Sequence, residues 1–300
     1  MKRLATSAPS LSFSILGRLV RVECPDPTLR QFIVTKFEAV VTAEASPPDL
    51  HYSVESGTAS SSIFRAGQPS LQWADPDELL FLLEKDLTIE LQKQRSDLYF
   101  LHSAALEWNG KACLLAADSG GGKSTTTWAL LHHGFRYLSD ELTPVDLDTL
   151  QVFPYPHALC LKRPPPDYPL PAETINLGRT FHVPVHALPA EAIEEPLPLG
   201  AVFLVKYRPD LSEPNLHPIS AAEAGARLYL TALNALSHPH RGLDAAICIA
   251  ERVPCFAIES AGLPATCALI RSALADCAAL ARSLRCLPAR HALASTTSTQ

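Results

Sequence analysis

The stretch Ala117-Asp118-Ser119-Gly120-Gly121-Gly122-Lys123-Ser124-Thr125 carries residue types suited to holding a phosphate chain. Consecutive glycines let backbone N–H groups curve around phosphate oxygens where a Cβ would obstruct them. Lys123 is placed to reach the β- and γ-phosphates of a nucleotide, and the Ser124 hydroxyl to help hold Mg²⁺. One letter departs from G-x-x-x-x-G-K-[ST]: the first glycine is Ala117. The apolar run before the loop reads as a strand, and Thr125 to His133 as a helix whose positive N-terminal end faces the same anion. A glycine-rich hairpin beside a surface lysine is the alternative, and those flanks argue against it.

Asp140 is the second anchor, because it ends the strand that follows the loop's helix. Ligands of α/β sheets sit at the carboxyl ends of strands, so Asp140 is expected at the same crevice. A carboxylate there ligates Mg²⁺ or accepts a proton from an attacking hydroxyl. Glu141 takes the other task unless strand alternation points it away. Asp140 as a turn cap, and His102 as a core histidine, are the structural alternatives. Lys162, and less so Arg163, are placed to steady a phosphate or an acidic substrate. The expected nucleotide contacts are therefore Asp118, Ser119, Gly120, Gly121, Gly122, Lys123, Ser124, Thr125 and Lys162. The expected metal contacts are Ser124, Asp140 and Glu141.

Around this site the pattern predicts a small β-rich unit over 1–96, a nucleotide domain over 97–290, and a polar tail over 291–300. In the first unit, Ser12 to Val22, Phe32 to Thr42 and Leu50 to Val54 read as strands. Asp75-Pro76 opens a helix carrying Leu79, Leu80, Leu83, Leu87 and Leu91 at helical spacing. In the second, Leu101 to Trp108 and Lys111 to Ala117 form a hairpin turning at Asn109-Gly110. Phe135 to Ser139, Thr143 to Tyr155 with a turn near Asp148, Ala158 to Lys162, Leu199 to Tyr207 and Val253 to Ile258 supply further strands. The Pro-rich 163–198 reads as irregular. Ser220 begins a helix to about Leu236 through a capping box with Glu223, and Ala265 to Leu287 forms the last helix.

The 300 residues, 47% of them hydrophobic, suffice for one large core or two smaller ones. A formal charge of −6 argues against nucleic acid or an anionic membrane as partner. No apolar run reaches the roughly 18–20 residues that span a bilayer, and Met1 to Pro9 is not followed by a signal-like segment. Eight cysteines without a C-x-x-C pair, several in apolar strings (Cys113, Cys160, Cys248, Cys255), fit reduced buried thiols in a cytoplasmic protein.

Leu101-His102-Ser103-Ala104-Ala105-Leu106, the loop from Asp118 to Ser124, and Tyr137-Leu138-Ser139-Asp140-Glu141 together resemble the HPr kinase/phosphorylase family. The resemblance is nearer still to HPr-kinase-related proteins of bacterial peptide- and surface-processing gene clusters. It covers residues 99–163 well, 199–287 loosely, and the N-terminal unit only in layout. It implies an α/β fold of the HPr kinase and phosphoenolpyruvate carboxykinase type. In such a fold His102 lies near the transferred phosphate, and Asp140 with Glu141 supplies the base and a metal contact. A homo-oligomer follows only by analogy. Glu141 stands where the family has a second aspartate, Ala117 replaces a glycine, and Thr125 replaces a common acidic residue. The downstream Arg-Gly signature of the phosphorylase reaction is missing, Arg241-Gly242 being a poor match, so neither phosphorolysis nor HPr as substrate is carried over.

The expected activity is an ATP- and Mg²⁺-dependent kinase acting on a hydroxyl, a serine of a protein or peptide. Asp140, Lys123, His102 and Glu141 are its catalytic residues. A small-molecule kinase and a nucleotide-binding regulatory protein without transfer are the competing readings.

Overall fold

The computed structural model describes residues 9–57 and 61–285. The chain start, the expected tail and the last residues of the final helix, up to Leu287, lie outside the described residues. The first sheet has five strands in chain order: β1 (Ser10–Ile15), β2 (Arg18–Glu23), β3 (Leu50–Glu55), β4 (Ser61–Arg65) and β5 (Leu71–Trp73). The segment expected as one strand over Ser12 to Val22 is a hairpin. Leu16 (φ 51°) and Gly17 (φ 72°) both adopt the left-handed conformation that a tight two-residue turn requires.

The strand expected over Phe32 to Thr42 is a helix instead. Helix α1 (Pro27–Phe37) starts where the Asp26 carboxylate accepts the N–H groups of Thr28 and Leu29, with proline at its first turn. Leu29, Ile33 and Phe37 then recur at helical spacing and are buried. Residues 38–40 add a 3₁₀ turn, so only the approach to β3 is extended. Helix α2 (Pro76–Gln94) forms as its sequence predicts, with Asp75 accepting from the Glu78 N–H. Its leucines at 79, 80, 83, 87 and 91 are all buried, each contributing roughly 1.5–3 kcal/mol.

The larger sheet begins with β6 (Leu98–Leu101), β7 (Ser103–Trp108) and β8 (Lys111–Ala116). The expected strand over Leu101 to Trp108 breaks at His102, whose N–H donates to the Thr231 carbonyl at 2.7 Å. As a result β6 pairs with β10 (Thr143–Asp146), whereas β7 pairs with β8 and with β9 (Arg136–Asp140). Helix α3 (Lys123–Leu131) joins β8 to β9, starting two residues before its predicted limit. After β11 (Gln151–Val152) comes β12 (Leu159–Leu161), within the strand expected over Ala158 to Lys162. The Pro-rich 163–198, expected to be irregular, instead supplies β13 (Ile175–Asn176) and β14 (Phe181–Val183), which complete a small antiparallel sheet with β12.

Strand β15 (Leu197–Tyr207) runs parallel to both β8 and β17 (Cys255–Ser260), and β16 (Asn215–Pro218) closes that edge. Helix α4 (Ala221–Leu230) is capped by Ser220, which accepts from the Glu223 N–H, and ends before Leu236 at Thr231. Helix α5 (Leu243–Arg252), unforeseen in the sequence, starts at Gly242 with φ 75°. Helix α6 (Leu263–Arg285) follows β17.

Strand β8 shows how this sheet is buried on both faces. Cys113 and Leu115 pack with α3 and α6, while Ala112, Leu114 and Ala116 pack with α4 and α5. Successive side chains alternate between faces, so a continuous apolar run is what such a strand needs. Strand β6 divides in the same way: Leu98 and Phe100 join the core of the first sheet, and Tyr99 and Leu101 that of the second. The result is a mixed α/β protein. Its described cysteines are free thiols; Cys113 and Cys255 are buried as expected, whereas Cys160 and Cys248 are partly exposed. Burial pushes the Cys113 thiol up to about 12.

Candidate functional site

Register explains why the anchors meet. Strand β8 is antiparallel to β7, and β7 to β9, so β8 and β9 run the same way. Ala104 of β7 lies opposite Asp140, and its neighbour Ser103 opposite Ala116. The carboxyl ends of β8, β9, β15 and β17 therefore share one edge, the usual place for ligands in such sheets. A cavity of about 800 Å³ opens there. His102, Asp118, Ser119, Gly120, Gly122, Lys123, Ser124, Thr125, Glu141 and Lys162 all line it.

The loop's glycines act in two ways. Gly120 and Gly122 have φ of 81° and 95°, a region that favours glycine. Gly121 is needed for space, since a Cβ there would lie 3.0 Å from both the Ala117 Cβ and the Asp118 carbonyl oxygen. Ala117 replaces a glycine without obstruction: it is buried and packs into the core below α3. Gly122 caps α3 with no side-chain bond, leaving the first helical N–H groups to the cavity. Lys162 reaches over the loop, its Nζ 3.2 Å from the Ser119 hydroxyl.

Lys123 is 7% exposed, and Asp140, behind it, is fully buried. The Lys123 Nζ donates to Asp140 Oδ1 at 2.7 Å and to Glu141 Oε1 at 3.0 Å. Burial is the strongest influence on this ammonium and pulls its pKa down, but the two carboxylates together hold it above the ordinary lysine value. Glu141 carries the same balance in reverse. Burial raises its pKa, and Lys123 with His102 brings it below the usual carboxylate value. The His102 Nδ1 lies 3.3 Å from Glu141 Oε2 and 3.2 Å from the Glu141 carbonyl oxygen. Glu141 does not follow strand alternation away from the site, because its φ of 100° turns the chain sharply at the strand end.

Asp140 Oδ2 is among the buried side-chain atoms that have no hydrogen-bond partner, as is Glu84 Oε1 deeper in the protein. Among the described residues no group of three or more His, Cys, Asp or Glu side chains is set to hold a metal ion. Mg²⁺ does not need one, since it keeps several waters and takes one or two protein oxygens together with substrate phosphates. The free Asp140 oxygen and the Ser124 hydroxyl fit that pattern.

Tyr207 and Ser260, which the sequence did not single out, complete the walls with Arg208, to which it gave little weight. Tyr207 closes β15, and its N–H donates to the Gly121 carbonyl at 2.9 Å. Arg208 follows, held by Glu259 at 2.6 Å and Asp210 at 2.8 Å, with Ser260 beside it on β17. The strand-end rule that located Asp140 would have found these too. Arg227 and His238, to which the sequence gave equally little weight, lie elsewhere, paired with Glu223 and against the Tyr99 ring. His157, also missed, is fully buried behind Asp140, with Nε2 3.1 Å from the Asp140 carbonyl oxygen and Nδ1 2.8 Å from that of Ala158. Burial, then the Lys36 ammonium, lowers its pKa, while Glu84 opposes them.

No protein-family model matches the chain, and no curated protein matches it. Among solved structures, the Hpr(Ser) kinase/phosphatase from Coxiella burnetii is similar, at 12% identity and a TM-score of 0.35, over 62% of this chain and 96% of that one. Among the described residues no helix is long and apolar enough to cross a membrane.

Proposed function

We propose that the protein is an ATP- and Mg²⁺-dependent kinase that transfers the γ-phosphoryl group to a hydroxyl, a serine of a protein or peptide. The observation that carries this reading is Asp140: fully buried, bonded to the loop lysine through one oxygen, with the other oxygen free.

The backbone of Asp118 to Gly122 and the open end of α3 bind the phosphates, with Thr125 and Lys162 at the rim. An ammonium has three N–H donors; Lys123 gives two to Asp140 and Glu141 and keeps one for a phosphate oxygen. Asp140 Oδ2 and the Ser124 hydroxyl hold the metal, which when bound neutralises charge on the β- and γ-phosphates. Glu141 is ionised and lines the cavity, so it takes the proton of the attacking hydroxyl as the new O–P bond forms and ADP leaves. His102, against Glu141, fixes the direction of that carboxylate. Most of the rate comes from positioning and charge stabilisation. A polypeptide acceptor is supported by Leu230 and Leu233, 81% and 45% exposed, which flank the Thr231 that binds the His102 N–H.

Incubation with γ-labelled ATP, Mg²⁺ and cell lysate, followed by mass spectrometry, is expected to show a phosphoserine on a polypeptide. An Asp140→Asn protein that labels the same species at the wild-type rate would overturn the assignment. Label on a metabolite alone would move it to a small-molecule kinase.

A further inference from the structure

We infer that the two N-terminal helices set the position of the Asp140–Glu141 peptide through a buried ring formed by Lys36, Glu84 and His157. The inference rests on the reading of Asp140 as a metal contact.

Lys36 comes from α1, Glu84 from α2, and His157 from the segment before β12. The Lys36 Nζ lies 2.9 Å from Glu84 Oε2 and is almost wholly buried. Glu84 Oε1 lies 3.4 Å from His157 Nε2, and that same nitrogen faces the Asp140 carbonyl oxygen at 3.1 Å. The ring closes through the backbone, where the Ala158 N–H donates to the Lys36 carbonyl at 2.8 Å. On its far side the Tyr137 hydroxyl of β9 donates to the His157 carbonyl at 3.0 Å. Residues 157–158 are thus clamped between α1 and the strand that ends in Asp140.

The Asp140 carbonyl belongs to the peptide that leads into Glu141, the residue with φ 100°. Holding that oxygen fixes the peptide plane, and with it the directions of both carboxylates around Lys123. A neutral imidazole carries one proton and donates either from Nδ1 to the Ala158 carbonyl or from Nε2 to the Asp140 carbonyl; the Nε2–H form is the one that directs Asp140. Stability alone does not call for such a device. The desolvation of a buried ion pair offsets its attraction, and apolar side chains of similar volume fill such space as well or better. An apolar filling would leave the Asp140 carbonyl with nothing to direct it. His157, Glu84 and Lys36 are positioning residues, since none lines the cavity.

The test reads binding of fluorescent mant-ATP with and without Mg²⁺. In the wild type Mg²⁺ should strengthen binding, and Asp140→Asn should remove that gain. His157→Leu should cut the gain about tenfold or more, the scale expected of groups that orient a metal ligand, a larger change than any in Mg²⁺-free affinity. His157→Gln, which keeps an N–H for the Asp140 carbonyl, should restore most of it. If His157→Leu does not fold, the double variant Lys36→Met/Glu84→Leu takes its place with the same expectation. A folded variant of either kind with the full Mg²⁺ gain would overturn the inference. A wild type indifferent to Mg²⁺ would instead refute Asp140 as a metal contact, and this inference with it.

Discussion

Among the described residues two lysines are buried against carboxylates, and the pairs differ in what lies beyond them. Lys36 is 2% exposed and Lys123 is 7% exposed. Burial is the largest influence on each and lowers its pKa, yet each is held above the ordinary value by its carboxylates, Glu84 in one case and Asp140 with Glu141 in the other. Beyond Glu84 stand protein groups, the His157 ring and then the Asp140 backbone. Beyond Lys123 stands a cavity, lined by a Glu141 side chain that is 37% exposed. The same charge chemistry holds geometry where it closes on protein, and becomes available for reaction where it opens on space.

The sharpest way to break this comparison is Lys123→Ala. Phosphoryl transfer should fall by about a thousandfold or more, since preorganised charge at the transferring group is lost. Single-turnover assays with γ-labelled ATP would show it, with the circular dichroism spectrum unchanged. Glu84→Ala tests the other pair and should act on stability. It leaves an ammonium buried without a partner, which costs about 3–5 kcal/mol in urea unfolding. Lys36→Met/Glu84→Leu should instead unfold within about 1 kcal/mol of the wild type, because neither charge remains.

Smaller effects separate the loop's glycines. Gly120→Ala adds only backbone strain, on the order of 1–2 kcal/mol, because nothing lies within 4 Å of its Cβ. Gly121→Ala meets the Ala117 Cβ and the Asp118 carbonyl at 3.0 Å and must reshape the loop. Titration of mant-ATP should therefore find the weaker binding in Gly121→Ala. The smallest expected effect is on acid stability. Because the folded-state pKa of Glu141 is depressed, its contribution is present above the unfolded-state value and fades as pH falls through the folded one. Lys123 is raised, so its contribution persists until pH climbs through its folded-state pKa. Glu141→Gln should flatten the acid limb of unfolding free energy against pH, read by urea titration, by less than about 1 kcal/mol, the scale of a solvent-screened pair, and leave neutral pH to the Lys123–Asp140 contact.

Much of the site was legible because it is local. A glycine loop between strand and helix, and an acid at the end of the next strand, are patterns of chain order. Helices α1 and α2 mark where such reading stops. Both open on Asp-Pro, and both caps form, at Asp26 and at Asp75. Five leucines made the second unmistakable, whereas Ile33, Val34, Thr35 and Phe37 in the first have the composition of a strand. There the cap and the burial of Leu29, Ile33 and Phe37 outweigh residue propensity. His102 looked like strand because its neighbours are apolar, and only the distant Thr231 carbonyl shows that the strand breaks. The ring of Lys36, Glu84 and His157 had no signal at all, being assembled by packing from three remote segments.

The division of β6 between two cores bears on how the chain can be dissected. A polypeptide begun at residue 97 would retain the loop, Asp140 and the cavity. It would also uncover Leu98, Phe100, Leu142 and Tyr155, which belong to the core of the first sheet. Such a fragment would bring a sticky apolar flank into water and aggregate through it. The part of this molecule that carries the cavity is therefore not a removable cassette, and truncations meant to isolate it would report on solubility before they reported on chemistry.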